Sequence, residues 1–194
     1  MKKTTEQILG IFGQGVLGGI TVLTGLHPAT VGAHFLLSIV LIAGATSLRA
    51  QKSSPSVKIQ SEPLVKKIAT VHIVATFIVL ILGTIVTGSG PHAGDATAPR
   101  FSFDLRTVAW LHADVVIALL GITFGLFVVH GTSAETKSRL KIFLAIALSQ
   151  GLIGYVQWFS DLPELLVGLH LAGSTLVWIA SWRVWLSVTK RMDR

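Results

Sequence analysis

The sequence predicts an all-α fold: a polytopic membrane bundle of six transmembrane helices containing an internal hairpin repeat. Three observations predict it. Six apolar runs, near 7–26, 30–48, 67–87, 107–130, 141–159 and 164–187, are each about twenty residues long, enough to cross a hydrocarbon core of roughly 30 Å as helices. The chain is 51% hydrophobic and 13% charged, with a mean hydropathy of +0.70, too apolar for an ordinary soluble domain. The stretch Gln14–Ser38, QGVLGGITVLTGLHPATVGAHFLLS, returns without a gap at Gln150–Ser174 as QGLIGYVQWFSDLPELLVGLHLAGS, a constant offset of 136. The two copies share Gln14/Gln150, Gly15/Gly151, Gly18/Gly154, Leu26/Leu162, Val31/Val167, Gly32/Gly168, His34/His170 and Ser38/Ser174. Each copy reads as an apolar helix, a tight turn holding Pro28 or Pro163, and a second apolar helix carrying one histidine, a construction familiar in polytopic membrane proteins.

Helices are the state predicted for all six runs, because lipid offers no partner for an open backbone hydrogen bond. Met1, Lys2 and Lys3 lead into the first run with no cleavage site of the secretory kind. Of the 16 Lys and Arg, fourteen fall on one side of the predicted membrane: Lys2, Lys3, Arg49, Lys52, Lys58, Lys66, Lys67, Lys137, Arg139, Lys141, Arg183, Lys190, Arg191 and Arg194. Only Arg100 and Arg106 fall on the other. That bias predicts that both termini and the loops near 49–66 and 131–140 lie in the cytoplasm. The net charge of +7 is accounted for by these orientation signals, so nucleic acid is not an expected partner and the lipid bilayer is. The stretch 49–66, polar and with two prolines, reads as a cytoplasmic linker. The outer loop from Gly88 to Arg106 mixes turn residues with His92, Asp95, Arg100, Asp104 and Arg106, and reads as a rim or lid.

The histidines carry the chemistry. His34, His112 and His170 each lie a short way into a helix that enters from the outer face, at a shared depth of about 6 to 9 Å. Imidazole inside a membrane helix is costly unless bonded or ligated. Two imidazoles facing each other across a bundle interior suit the axial positions of a haem iron, so all three are candidate metal ligands. Each alone also fits plain interhelical bonding. The absence of cysteine and of an HExxH spacing disfavours zinc and excludes disulfides and thiol nucleophiles. Arg100 and Arg106, the only outer basic residues, are candidate partners of haem propionates. Asp114 is a candidate second-layer partner of a histidine nitrogen or a simple polar contact. His72 and His130, near cytoplasmic helix ends where they can reach the membrane interface, read as structural; His27 and His92 lie in outer turns, and only His92 is a candidate ligand contact. Gln14 and Gln150 read as interhelical bonds, the glycines of GIFGQGVLGG as close packing or room for a flat ligand, and Trp158, Trp178, Trp182 and Trp185 as anchors or packing.

The repeat also has an arithmetic. Two complete halves would be eight helices with four buried histidines, and this sequence supplies six and three. The expectation is a fragment, a shortened reading frame, or a chain that takes its missing pair from elsewhere. QGLIGYVQWFSDLPELLVGLH, VTGSGPHAGD, WLHAD and GGITVLTGLHPATVGAHF together resemble heme A synthase, particularly its actinobacterial form, from that family's third helix onward and over essentially the whole chain. The resemblance implies an oxidoreductase that converts haem O to haem A by successive hydroxylations of a methyl group, with a haem b cofactor. It assigns 1–48 to the second hairpin of the N-terminal substrate half and 67–194 to a C-terminal four-helix half. It implies that His112 and His170 ligate haem b and that His34 matches one of two substrate-side histidines, hence a catalytic position. It also implies haem O, an electron donor and haem O synthase as partners. The family's first two helices, with the other substrate-side histidine, an acidic catalytic residue and, in many members, a cysteine pair, have no counterpart here. The competing expectations are a non-catalytic haem b protein that transfers electrons or carries haem, and a transporter or scaffold whose histidines only bond.

Overall fold

The computed structural model describes residues 2–52, 61–91 and 97–189, with side chains from residue 5 and, in the first span, up to residue 50. All described secondary structure is helical: α1 Lys2–Leu23, α2 Pro28–Lys52, α3 Pro63–Ser89, α4 Leu105–Val128, α5 Ala134–Phe159 and α6 Glu164–Thr189. All six are long and apolar enough to span a membrane. Several extend past the apolar runs that predict them, α5 by seven residues at its start and α2 and α3 by four each into the stretch read as linker. The polar turn Ala134–Leu140 stays helical because water and headgroups can solvate its charged side chains while the backbone keeps its own bonds.

Local chemistry sets the ends. Pro63 opens α3 and Pro28 opens α2, positions where no helical N–H is needed. Asp104 and Ser133 cap α4 and α5 by accepting from the Thr107 and Thr136 amides. The two repeat turns share a conformation as well as a sequence. Gly25 and Leu26 have positive φ, as do Asp161 and Leu162 at the same offset. The Leu26 amide bonds the Thr21 carbonyl at 3.0 Å, and the Leu162 amide bonds that of Gln157 at 2.7 Å. A leucine in the left-handed region is strained, and these bonds hold it there.

The end of the bundle bearing the turns at 24–27, 97–104 and 160–163 is designated the upper end. Helices α3, α4, α5 and α6 form a four-membered ring in which each packs on its two neighbours, while the backbones of the diagonal pairs α3/α5 and α4/α6 do not approach one another. Helix α2 packs outside this ring on α3 and α6, and α1 packs only on α2. Apolar burial is concentrated low and midway: Val65, Ala69, Leu126, Leu140, Phe143 and Val184 are among the core of the ring, and Ile39, Ala43, Ile73, Leu80 and Trp178 fill the α2/α3/α6 junction. In the upper stretches of α4 before Leu119, α5 after Phe143 and α6 before Gly173, no residue is fully buried.

Hydrogen bonds from α6 tie the lower half together. Trp178 Nε1 donates to the Ile39 carbonyl at 2.7 Å and Trp182 Nε1 to Ser47 Oγ at 2.8 Å, both on α2. Ser181 Oγ pairs with Thr76 Oγ1 at 2.9 Å and His72 Nδ1 at 3.1 Å on α3, and Ser187 Oγ pairs with Thr136 Oγ1 at 3.0 Å on α5. His72 therefore does not reach the interface. It is wholly buried, edge-on to Phe143 at 4.6 Å, because its position on α3 faces α6 rather than lipid. Trp178 and Trp182 likewise serve as interhelical donors. Replacing Ser181 by Val leaves Thr76 and His72 without their α6 partner. It should lower unfolding free energy in detergent by about 1–2 kcal/mol, whereas Ser149→Ala, which loses only a bond to its own helix, should be close to neutral.

Candidate functional site

His34, His112 and His170 stand six or seven residues after the starts of α2, α4 and α6, about 9 to 10 Å down from the upper end. All three are half-buried, and the Nδ1 atom of each is buried without a hydrogen-bond partner. His112 and His170 lie on the diagonal pair α4 and α6, whose backbones nowhere approach, yet their rings are within electrostatic reach of each other. The two histidines thus stand at one level on opposite members of the ring, in the half of the bundle that apolar packing does not close. Gln150 and Gln157, seven residues apart on α5, each carry a buried side-chain oxygen without a partner.

Around His34 the arrangement is related but less enclosed. His34 faces α1, the outermost helix. Gln14 Nε2 donates to the His34 carbonyl at 3.0 Å and to Ser38 Oγ, so Gln14 makes the interhelical bond expected of it. Its repeat counterpart Gln150 lies against Gly173 instead.

Each histidine ring rests on a glycine of the helix before it. A methyl group placed on Gly18 would lie 3.2 Å from Cε1 of His34; on Gly83 it would lie 3.4 Å from Cε1 of His112, and on Gly154 3.5 Å from Cε1 of His170. Sequence reasoning missed this pairing. Gly18 and Gly154 are repeat identities, but Gly83 has no place in a gap-free comparison because the α3–α4 connection is longer. The available signal was the recurrence of an aliphatic residue and glycine, Leu17-Gly18, Leu82-Gly83 and Ile153-Gly154, one helix ahead of each histidine.

The rim is ordered by local bonds. The Arg100 guanidinium donates to the carbonyls of Ala98 at 2.7 Å and Pro91 at 2.8 Å, and the Phe101 amide to Gly88 at 2.9 Å, folding residues 97–101 onto the end of α3. Arg106 lies 5.1 Å from the ring centre of Trp110, an exposed side chain about 160° round α4 from His112. Asp114 is exposed, about 200° round from His112, and makes no bond to it. His27 Nδ1 accepts from the Ala29 amide at 3.3 Å, and its ring meets Phe101 edge-on. His130 is solvent-exposed beside Glu62 at 3.5 Å. His92 and Asp95 lie outside the described residues.

No protein-family model, curated protein or solved structure matches the chain. Among the described residues no three of His, Cys, Asp or Glu converge as a metal-binding group. A facing pair of imidazoles suits a metal whose remaining ligands come from its own macrocycle.

The α4 cap has a pH signature. Bonds from the Thr107 hydroxyl at 2.7 Å and amide at 2.8 Å hold the Asp104 carboxyl below the ordinary carboxylate range. A depressed value means the cap stabilises the helix above the unfolded value and is lost as pH falls through the folded one. Protection of the Thr107 amide, the slowing of its exchange relative to an unstructured chain at the same pH, should therefore fall in acid below about pH 4, and in Asp104→Ala it should be low at every pH.

Proposed function

We propose that the chain holds a b-type haem between His112 and His170 within the α3–α6 ring and acts as a heme A synthase-type oxidoreductase on haem O. The observation that supports this reading is the pair of half-buried imidazoles on the two diagonal helices, at one depth, in the half of the bundle left open by apolar packing. The residues fit the group. The backbones of α4 and α6 do not approach, which leaves width for a flat macrocycle, and each helix supplies one imidazole at that level. Bound there, haem b would pass the single electrons that oxidation of a methyl to a formyl group requires.

The chain's own residues have distinct parts in this reading. His112 and His170 would hold the haem iron. His34, the repeat counterpart of His170, serves the substrate haem and is the position assigned to catalysis. Arg100 and Arg106 put positive charge at the upper rim, which favours propionate carboxylates at that end. The preponderance of basic residues at the lower end supports a reading in which that end faces the cytoplasm of a bacterial cell and the histidines lie toward the outer face.

A second reading, a haem b protein that transfers electrons or carries haem without catalysis, is favoured by one feature. The ring α3–α6 closes around His112 and His170 without any part of α1 or α2. Supplying haem O, dioxygen and a reductant to the purified chain, then extracting the haems, separates the two. Appearance of haem A, lost in His34→Ala while haem b is retained, is the expected result. Retained haem b with no haem A under any condition leaves the second reading, and absence of haem refutes both.

A further inference from the structure

We propose that Gly83 and Gly154, and by the repeat Gly18, are positioning residues that fix which ring nitrogen of each histidine carries the proton. The proposal rests on the reading of these rings as haem ligands and adds how the protein prepares them. The ring atoms nearest each glycine are Cε1 and, next, Nδ1: 3.4 and 3.9 Å from a Gly83 methyl for His112, 3.5 and 3.9 Å from a Gly154 methyl for His170, and 3.2 and 3.6 Å from a Gly18 methyl for His34. The same edge, not the Nε2 tip, is thus turned to the neighbouring helix in all three hairpins.

Behind each glycine lies a carbonyl. The His112 ring faces the main-chain oxygen of Val79, four residues before Gly83, and the His170 ring faces that of Gln150, four residues before Gly154. Neither contact closes to full hydrogen-bond geometry at Nδ1. In an α-helix the carbonyl of residue i lies beside the amide of residue i+4, and a side chain at i+4 would stand between that oxygen and an approaching ring. Glycine at i+4 removes the obstruction. An imidazole whose Nδ1–H is directed to a backbone oxygen keeps its proton there and presents a bare Nε2, the form needed to bind a metal.

The spacing explains why glycine, not merely a small residue, need not be absolute at two sites. At 3.4 and 3.5 Å an added methyl on Gly83 or Gly154 makes ordinary contact, whereas at 3.2 Å one on Gly18 crowds His34. A branched side chain at any of the three fills the space the ring occupies.

The test reads the rings without haem. The full chain is prepared in detergent with ¹⁵N-labelled histidine rings, and His112 and His170 are assigned through their single replacements. The expected spectrum has both rings neutral with the proton on Nδ1. Gly83→Leu should shift His112 toward the Nε2–H form and leave His170 unchanged. Gly154→Leu should do the reverse, so each variant carries its own folding control in the other ring. Gly83→Ala should keep the wild-type pattern, as should Gly121→Leu, whose site on α4 has open space around it. Haem titration of the same samples should give a low-spin spectrum in the wild type and a loss of at least roughly tenfold in affinity in the Leu variants. Nε2–H rings in the wild type, or Leu variants with unchanged rings, overturn the proposal. Nδ1–H rings that respond to the glycines in a chain that binds no haem uphold the positioning and refute the haem reading on its own.

Discussion

Hydrogen bonding by α6 is the constraint on which the rest of this bundle depends. Lipid removes most of the hydrophobic drive between helices, leaving close packing and polar contacts to hold them. Trp178, Ser181, Trp182 and Ser187 sit on successive turns of one helix and reach α2, α3 and α5 in turn. Among the partners, Thr76, His72 and Thr136 are buried polar side chains that would be costly unpaired. Because this clasp lies low and midway, the upper halves of α4, α5 and α6 need not pack tightly, and they do not. Stability and the candidate site therefore occupy different levels of the same helices.

The repeated turn connects that division to the histidines. The left-handed pair Gly25-Leu26, like Asp161-Leu162, sets how far the second helix of each hairpin is offset along the first. That offset brings His34 opposite Gly18 and His170 opposite Gly154. The α3–α4 hairpin uses a longer connection and reaches the same juxtaposition at Gly83 and His112. Three hairpins with two kinds of turn converge on one contact, which argues that ring placement, rather than turn sequence, is what the fold preserves.

Much of the fold was legible from apolar length alone, because a lipid environment allows so few alternatives. The shared depth of His34, His112 and His170 followed from counting residues from the helix starts. What the sequence could not show was which side of each helix faces inward. His72 illustrates this: its place along α3 suggested the interface, but its angular position turns it into the α3/α6 contact with Ser181. Arg106 and Asp114 illustrate the same limit, since only the backbone geometry separates their faces of α4 from that of His112. Hydropathy carries little angular information in helices that are apolar nearly all round.

The central claim is that His112 and His170 form one ligand pair across the ring. Its most direct test is the spin state and stoichiometry of haem b added to the purified chain, followed by optical and electron paramagnetic resonance spectra. The account predicts one six-coordinate low-spin haem per chain, with that signal lost in His112→Ala and in His170→Ala separately and kept in His27→Ala. No bound haem, or a low-spin signal that survives either replacement, would contradict it.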